Sequence, residues 1–234
     1  MKLGRWITSR HAEPISHKKE WIDKKFGYFE FDRRATDLGD EGGLVSYSTL
    51  SRVGLDGTAY SLLLQTRDPS WLYSVRQGAT TVWERWNSYN LDRGFGKVSM
   101  NSFNHYAYGA VAEWMFGYMA GIRPCEEIPG FRRVMLSPRP DLRREDEMPK
   151  GQSRIRRVWA KYESAAGQIL ASWRLEDDGF TYCVTIPEGV TAQMEIPLVG
   201  EKKRVLVNDA PMAAQIRDGY AIFSLDGGDY TIRS

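Results

Sequence analysis

A carboxylate and several aromatic rings occur together around Glu84, a combination that could perform acid–base chemistry on a sugar. Glu84 lies between Trp83 and Trp86, and Trp71 precedes them. A carboxylate can take a proton from water, and glycoside hydrolysis usually divides its work between two carboxyl groups. Indole rings can exclude bulk water and stack on the C–H faces of sugars. Alternatively, Glu84 is an ordinary ion-paired residue beside Arg85, and the tryptophans are core filler. If the segment is a strand, Arg85 points away from the side that Glu84 faces.

His105 is a second candidate for contact with a sugar. An imidazole can donate hydrogen bonds to sugar hydroxyls or accept them. Alternatively, His105 is a structural residue at the start of a helix. His11 and His17 fit no site, and we interpret them as surface residues. Cys125 and Cys183 lie far apart and lack a CxxC spacing, so we expect reduced thiols, no metal site and no cofactor.

The composition excludes several classes of protein. The 234 residues carry 32 Lys and Arg against 30 Asp and Glu, a net charge of +2, which does not favour binding to nucleic acid. No apolar run approaches the roughly 18 residues that a membrane span needs. Met1 is not followed by the apolar stretch of a signal peptide, so we expect a cytoplasmic location and no contact with a membrane.

Helical periodicity dominates the first half of the chain, where we predict helices over 44–53, 59–65 and 104–119. Asp56 is the expected N-cap of the second helix, and Asn101 or Ser102 that of the third. Gly121 is expected to end the third helix. Within the first 40 residues, only 18–25 resembles a helix.

After residue 122 apolar residues recur at every second position, a spacing that is typical of strands. A turn at Asp177–Gly179 predicts a hairpin. Short strands separated by turns, without helices between them, indicate an antiparallel sandwich. Residues 137–147 are rich in proline and charge, and we predict a solvated linker there. The predicted strands are 158–162, 169–175, 180–186, 194–196, 205–207, 221–223 and 230–232.

Five stretches occur in the order found in one family. They are DPSWLY (68–73), GATTVWERW (78–86), NSFNHYAYGAV (101–111), RRVMLSPRP (132–140) and FTYCVTIP (180–187). The first three resemble the end of the catalytic domain of bacterial α-L-rhamnosidases, and the last two are similar to that family's terminal β-sandwich. The resemblance covers roughly residues 42 to 234.

The resemblance implies an α+β multidomain chain. Residues 41–122 would form the C-terminal part of an (α/α)6 catalytic barrel, and residues 123–234 the antiparallel β-sandwich domain. Residues 1–40 stay unassigned. A complete barrel has twelve helices, whereas the first 122 residues have room for about four or five of average length. The chain is therefore expected to hold only part of the ring.

The resemblance also implies an inverting hydrolase that removes terminal α-L-rhamnose from glycosides or polysaccharides. Glu84 matches the general base, and His105 matches a histidine that contacts the sugar. Trp83, Trp86 and Trp71 are the candidates for a sugar platform.

The family's general acid lies in an upstream motif, and the nearest stretch here, 32–40, lacks that motif's glutamate and tryptophan. We treat this similarity as chance and expect negligible activity from the chain alone. The incomplete ring is expected to self-associate or to bind a complementing catalytic chain. One alternative is a non-catalytic carbohydrate-binding or scaffold protein. Another is an unrelated protein in which Glu84 and His105 share no surface.

Overall fold

A computed structural model of the chain describes residues 46–96, 101–200 and 204–234. The expectations for residues 1–40, including the helix-like stretch 18–25, both upstream histidines and the stretch 32–40, lie outside the described residues. None of the helices in the described ranges has the length and apolar character that a membrane span needs.

Three short helices open the described part of the chain. They are α1 (Ser46–Arg52), α2 (Asp56–Leu63) and α3 (Trp71–Arg76). The first two correspond to predicted helices, but Asp56 is the first residue of α2 and Leu55 holds the N-cap position. Helix α3 was not predicted, although Ser70 caps it by accepting a hydrogen bond from the Tyr73 N–H at 3.0 Å. A capping serine before only six helical residues gives too short a pattern to show periodicity.

The predicted helix 104–119 is a composite that begins later. A 3₁₀ turn (Tyr106–Ala110) leads into α4 (Val111–Trp114) and then into a π-helical turn (Met115–Met119). The expected capping by Asn101 or Ser102 is wrong, because His105 occupies the N-cap position without a side-chain hydrogen bond. Gly121 ends the helical run as predicted, with φ of +85°.

The strands after residue 121 form two sheets. The strands are β3 (Ile122–Pro124), β4 (Arg133–Leu136), β5 (Arg157–Ser164), β6 (Gly167–Leu175), β7 (Phe180–Ile186), β8 (Thr191–Pro197), β9 (Val205–Val207), β10 (Ala210–Met212), β11 (Gln215–Arg217), β12 (Tyr220–Leu225) and β13 (Gly228–Arg233). Among the described residues, one sheet has six strands in the order β10-β9-β13-β7-β6-β5, and the other has five in the order β11-β12-β8-β4-β3. Side chains from both sheets join one buried core, as alternation along the strands requires.

The sheets depart from the prediction in one pairing and several short strands. Strand β4 runs parallel to β8, whereas the other pairs within the two sheets are antiparallel. Strands β3, β4, β10 and β11 were not predicted, because three or four residues give little alternation, although the equally short β9 was predicted from its three consecutive apolar residues. A two-residue pair, β1 (Tyr89–Asn90) with β2 (Gly94–Phe95), also lies within the helical half.

The sheets bind the end of the composite helix through its last carbonyl groups. Helix ends leave backbone carbonyls without partners inside the helix. Here the carbonyls of four consecutive residues, 118 to 121, all accept hydrogen bonds from later segments. The donors are the Arg139 N–H to Tyr118 (2.8 Å), Trp173 Nε1 to Met119 (2.7 Å), the Tyr182 hydroxyl to Ala120 (3.0 Å) and the Ser137 N–H to Gly121 (2.8 Å).

Gly121 permits this close approach. A Cβ atom at this position would lie 2.3 Å from the backbone nitrogen of Pro138. Its positive φ also favours glycine. The helical half and the sheets are therefore joined by backbone packing and by buried hydrogen bonds, and the two halves should unfold together.

Replacing Trp173 with phenylalanine should lower the free energy of unfolding by about 1–3 kcal/mol, because the buried Met119 carbonyl loses its donor. Urea denaturation measures the loss. The matched control is Trp159→Phe, since Trp159 is 68% exposed and should lose little. Equal losses in both variants would contradict a role for the Trp173 hydrogen bond.

The predicted solvated linker over 137–147 is largely wrong. Asp141 is fully buried, Arg143 is 4% exposed, and their side chains form an ion pair at 2.7 Å. Ser137 and Pro138 are buried as well. Leu142 and the last part, which includes a 3₁₀ turn at Glu145–Glu147, are exposed as expected. A run of charged residues is buried here because the charges satisfy each other, which local composition does not reveal.

Candidate functional site

The backbone around Glu84 pairs with the segment that leads to His105. The Glu84 N–H donates to the Ser102 carbonyl at 2.9 Å, and the His105 N–H donates to the Val82 carbonyl at 2.8 Å. Two separated stretches of the first half are thereby held side by side. The pairing brings Glu84 and His105 onto adjacent, hydrogen-bonded segments.

The Glu84 carboxylate is fixed by the same pairing. Its Oε2 atom accepts a hydrogen bond from the Ser102 N–H at 2.6 Å, a short distance typical of a charge-assisted bond. The residue is half-buried rather than sealed in the interior. A carboxylate has about four acceptor positions on two oxygens, so one backbone contact leaves capacity to accept a proton from water. Ser102, which we expected to cap a helix, instead orients this carboxylate.

His105 lies at the point where the paired segment turns into the 3₁₀ turn. The residue is half-buried, and its ring lies nearly parallel to that of Tyr106 at 6.3 Å. The Nδ1 atom is buried and has no hydrogen-bond partner among the described residues. A buried polar atom is normally hydrogen-bonded, so Nδ1 marks a point where a buried water molecule would complete the hydrogen bonding of the ring.

Trp71 and Trp86 lie together in one cluster of rings. Their centroids are 5.2 Å apart in an edge-on arrangement, and Trp86 stacks on Tyr108 at 4.4 Å. The Ser74 hydroxyl donates to the Trp86 carbonyl at 2.8 Å and fixes this loop against α3. Both tryptophans are half-buried, so each keeps some surface in solvent. Tyr108 was not predicted as part of a site, because its neighbours in the sequence indicated only helix packing.

Trp83 belongs to a different cluster. It is 7% exposed and packs edge-on against Phe103 at 5.5 Å and Tyr89 at 6.4 Å. The structure therefore does not bring all three predicted platform tryptophans together. A turn closed by hydrogen bonds between Arg85 and Ser88 follows Trp83, so Trp86 lies on a different side of this loop.

The position of Arg85 differs from the expectation for a strand. Its N–H donates to the Ser88 hydroxyl at 3.2 Å, and its carbonyl accepts from the Ser88 N–H at 3.1 Å. These bonds close a tight turn immediately after Glu84. The turn carries Trp86 back toward α3.

Asp68 is a titratable residue near this loop that sequence analysis did not single out. Burial raises the pKa of the Asp68 carboxyl, although a long hydrogen bond from Asn87 at 3.5 Å acts in the opposite direction. Within the described residues, no group of three or more His, Cys, Asp or Glu side chains could hold a metal ion. Cys125 and Cys183 are free thiols, as predicted.

Two family models match the chain. The bacterial α-L-rhamnosidase six-hairpin glycosidase domain matches residues 33–119, and the C-terminal domain of the same family matches residues 121–210. The first match begins at residue 33, so the resemblance extends further upstream than residue 42, where we expected it to start.

Individual relatives agree with these models. An α-L-rhamnosidase from Alteromonas is 36% identical over 148 residues, which are 63% of this chain and 15% of that protein. An α-L-rhamnosidase from Streptomyces avermitilis is 35% identical over 181 residues, which are 77% of this chain and 16% of that protein. The chain thus spans about 15% of the length of the curated relatives that it matches.

Two solved structures of α-L-rhamnosidases also match this chain. The crystal structure of Streptomyces avermitilis α-L-rhamnosidase complexed with L-rhamnose matches with a TM-score of 0.72 and 31% identity, covering 94% of this chain and 19% of that one. The Aspergillus terreus α-L-rhamnosidase matches with a TM-score of 0.64 and 28% identity, covering 83% and 19%.

Proposed function

This chain belongs to the bacterial α-L-rhamnosidase family, and we propose that it supplies the general-base side of an inverting α-L-rhamnosidase active site. Glu84 takes a proton from a water molecule, which attacks the anomeric carbon as the glycosidic bond breaks. A second carboxyl group, about 6.5–9.5 Å from the base in inverting enzymes, protonates the leaving oxygen. The substrate is a terminal α-L-rhamnoside.

The observation that carries this proposal is the fixed Glu84 carboxylate beside the His105 segment. The Ser102 N–H holds one carboxylate oxygen at 2.6 Å, so the base is oriented before a substrate arrives. Pre-organised groups lose less entropy when a reaction begins. The His105 imidazole lies on the segment paired with Glu84 and supplies a further group that can hydrogen-bond a sugar hydroxyl. The half-buried rings of Trp71 and Trp86 supply an apolar face.

We also propose that residues 41–122 form one sector of an (α/α)6 barrel and that residues 123–234 form the following β-sandwich domain. In this arrangement the acid belongs to another sector of the ring. The 234-residue chain then has a base without its acid, and a missing acid alone costs about 10² to 10⁴-fold in rate. A cytoplasmic location stays a prediction.

A chimeric enzyme tests this function. The purified 234-residue chain should release no measurable p-nitrophenol from p-nitrophenyl α-L-rhamnopyranoside. The chain should restore hydrolysis when residues 46–234 replace the matching part of the Streptomyces avermitilis enzyme. A folded chimera that binds but never cleaves the substrate would favour the carbohydrate-binding alternative. Turnover by the chain alone would contradict the assignment of the acid to another sector.

The exposed apolar side chains of the helical half support association with the remainder of a barrel or with a second copy. Large apolar side chains are exposed at several positions between residues 75 and 116, and the most exposed are Tyr106 at 89% and Phe95 at 74%. Exposed apolar groups of this kind mark interaction surfaces when they are numerous. The residues are Val75, Leu91, Phe95, Tyr106, Met115 and Phe116.

The isolated chain should therefore self-associate in a concentration-dependent manner, as measured by light scattering. Changing Phe95 and Phe116 together to serine should weaken association about tenfold or more, because aromatic groups dominate such contacts. Leu142→Ser is the matched control, since Leu142 is 49% exposed but lies outside this surface. A monodisperse monomer at high concentration would contradict an incomplete barrel.

A further inference from the structure

Trp159 presents a large aromatic ring to solvent on the outer face of the six-stranded sheet. It lies on β5, at the edge of that sheet, and is 68% exposed. The neighbouring strand β6 carries Trp173 on the opposite face, where it is 3% exposed. The sandwich core therefore does not need the indole of Trp159.

The strand register places Trp159 at one end of a row of short side chains. Trp159 pairs with Ser172, Ser172 with Cys183, and Cys183 with Thr231. Residues directly opposite each other share a face, so two hydroxyls and a thiol continue the row across three further strands. With strands about 4.8 Å apart, the row is roughly 14 Å long.

Two neighbouring register rows border this row, and both are mostly polar, with arginine or lysine as their longest side chains. One border is the register row Arg157, Arg174, Thr181 and Arg233, and the other is Lys161, Leu170, Thr185 and Asp229. Each border lies two residues along the strands, about 7 Å from the row. The outer face thus carries a row of short side chains between two rows that hold longer charged ones, with a flat aromatic ring at one end. We call these residues the Trp159 trough.

The charges on this face are largely balanced. Lys161 pairs with Glu163 at 2.9 Å, Arg174 pairs with Glu176 at 3.7 Å, and Arg233 pairs with Asp209. Glu163 also accepts a hydrogen bond from Gln168 at 2.9 Å. Such a surface offers both donors and acceptors without a strong net charge. It therefore suits a neutral ligand with many hydroxyl groups better than a phosphate or an anionic chain.

The apolar area is too small for a stable protein partner. A specific protein interface buries about 800 Å² on each side and contains several apolar anchors. Among the described residues, Trp159 is the one large hydrophobic side chain that is strongly exposed on this face. A single ring with a polar surround matches the face of one pyranose unit, whose C–H groups stack on an indole while its hydroxyls reach the borders.

We propose that the Trp159 trough is an accessory carbohydrate-binding site that takes a neutral pyranose unit of a polysaccharide chain. This site goes beyond the hydrolytic function proposed for Glu84, because it lies on the sandwich and requires neither a base nor an acid. It holds polysaccharide on the protein without cleaving it.

Affinity electrophoresis in gels containing galactomannan, xyloglucan or arabinogalactan tests this site. At least one of these neutral polysaccharides should retard the 234-residue chain, and Trp159→Ala should raise the dissociation constant at least about tenfold, as loss of a central aromatic anchor does. Ile216→Ala is the matched control, since Ile216 is 50% exposed on β11 of the other sheet. Midpoints of urea denaturation close to that of the unaltered chain would confirm that both variants fold.

Cys183 provides a second test that leaves Trp159 intact. In a Cys125→Ser background, a bulky maleimide on the exposed Cys183 thiol should block the trough and abolish retardation. Glu84→Gln should bind polysaccharide like the unaltered chain, which separates this site from the hydrolytic one. Absence of retardation by all three polysaccharides would overturn the proposal, as would retention only by anionic polygalacturonate. Unchanged binding by Trp159→Ala, or self-association that depends on Trp159, would overturn it too.

Discussion

Changing Glu84 to glutamine should lower kcat of the chimeric enzyme by roughly 10² to 10⁴-fold with a much smaller effect on KM. Glutamine has nearly the same shape as glutamate, and its side-chain oxygen can still accept the hydrogen bond from the Ser102 N–H. The pairing with the His105 segment therefore survives. The amide cannot take a proton from the attacking water, so the loss falls on the chemical step. Release of p-nitrophenol over a range of substrate concentrations separates kcat from KM.

A glutamate on the sandwich provides the control for this prediction. Glu163 lies on β5 and pairs with Lys161, so Glu163→Gln should leave both kinetic constants unchanged. Glu84→Asp should fall between the unaltered enzyme and the glutamine variant, because the shorter side chain moves the carboxylate away from the Ser102 N–H. If Glu84→Gln retained kcat within about threefold of the unaltered chimera, Glu84 would not be the base.

The residues of the site were predictable only in part. Glu84 and His105 were selected because their surrounding motifs resemble a family, whereas their residue types alone left ordinary structural roles open, and their functional roles stay predictions. Ser102 and Tyr108 were missed, since their contacts with Glu84 and Trp86 join segments that are distant in sequence. Long-range backbone pairing has no local signature, so periodicity could not reveal it.

The fold was predictable where a pattern was long enough to repeat. Strands β5, β6 and β7 alternate over seven residues or more and were predicted, whereas the three-residue strands β3, β10 and β11 were not, and among the described strands β9 is the one of that length that was. Gly121 was found because a glycine after an apolar helix is a reliable ending. The composite nature of the helix was missed, since 3₁₀, α and π turns share similar apolar spacing over one turn.

The buried Asp141–Arg143 pair is the clearest case in which local composition misleads. Asp141 and Arg143 lie two residues apart in a stretch whose charges predict solvent exposure, as they do correctly for Arg144 and Asp146. The difference arises from partners elsewhere in the chain. Arg143 also donates hydrogen bonds to the Ser61 hydroxyl at 2.9 Å and to the Gln152 side-chain oxygen at 2.7 Å. It therefore links α2 to the segment that precedes β5.

Replacing Arg143 with methionine should therefore lower the free energy of unfolding by about 3–5 kcal/mol. The guanidinium donates to both oxygens of Asp141 at 2.7 Å, and the Asp141 side chain is completely buried. Methionine fills a similar volume but leaves the carboxylate without its countercharge in a dry interior. The Ile155 N–H, at 3.2 Å, is too weak a partner to compensate. Urea denaturation followed by circular dichroism measures the loss.

The adjacent arginine provides a matched control. Arg144→Met removes an equivalent ion pair whose side chains are 72% and 66% exposed, so it should cause no measurable loss of stability. Adding Asp141→Asn to Arg143→Met should recover part of the lost stability, because asparagine removes the unpaired charge and keeps an acceptor for the Ile155 N–H. If Arg143→Met cost no more than Arg144→Met, or if Asp141→Asn made it worse, the pair would not hold the helical half to the sandwich through its charge.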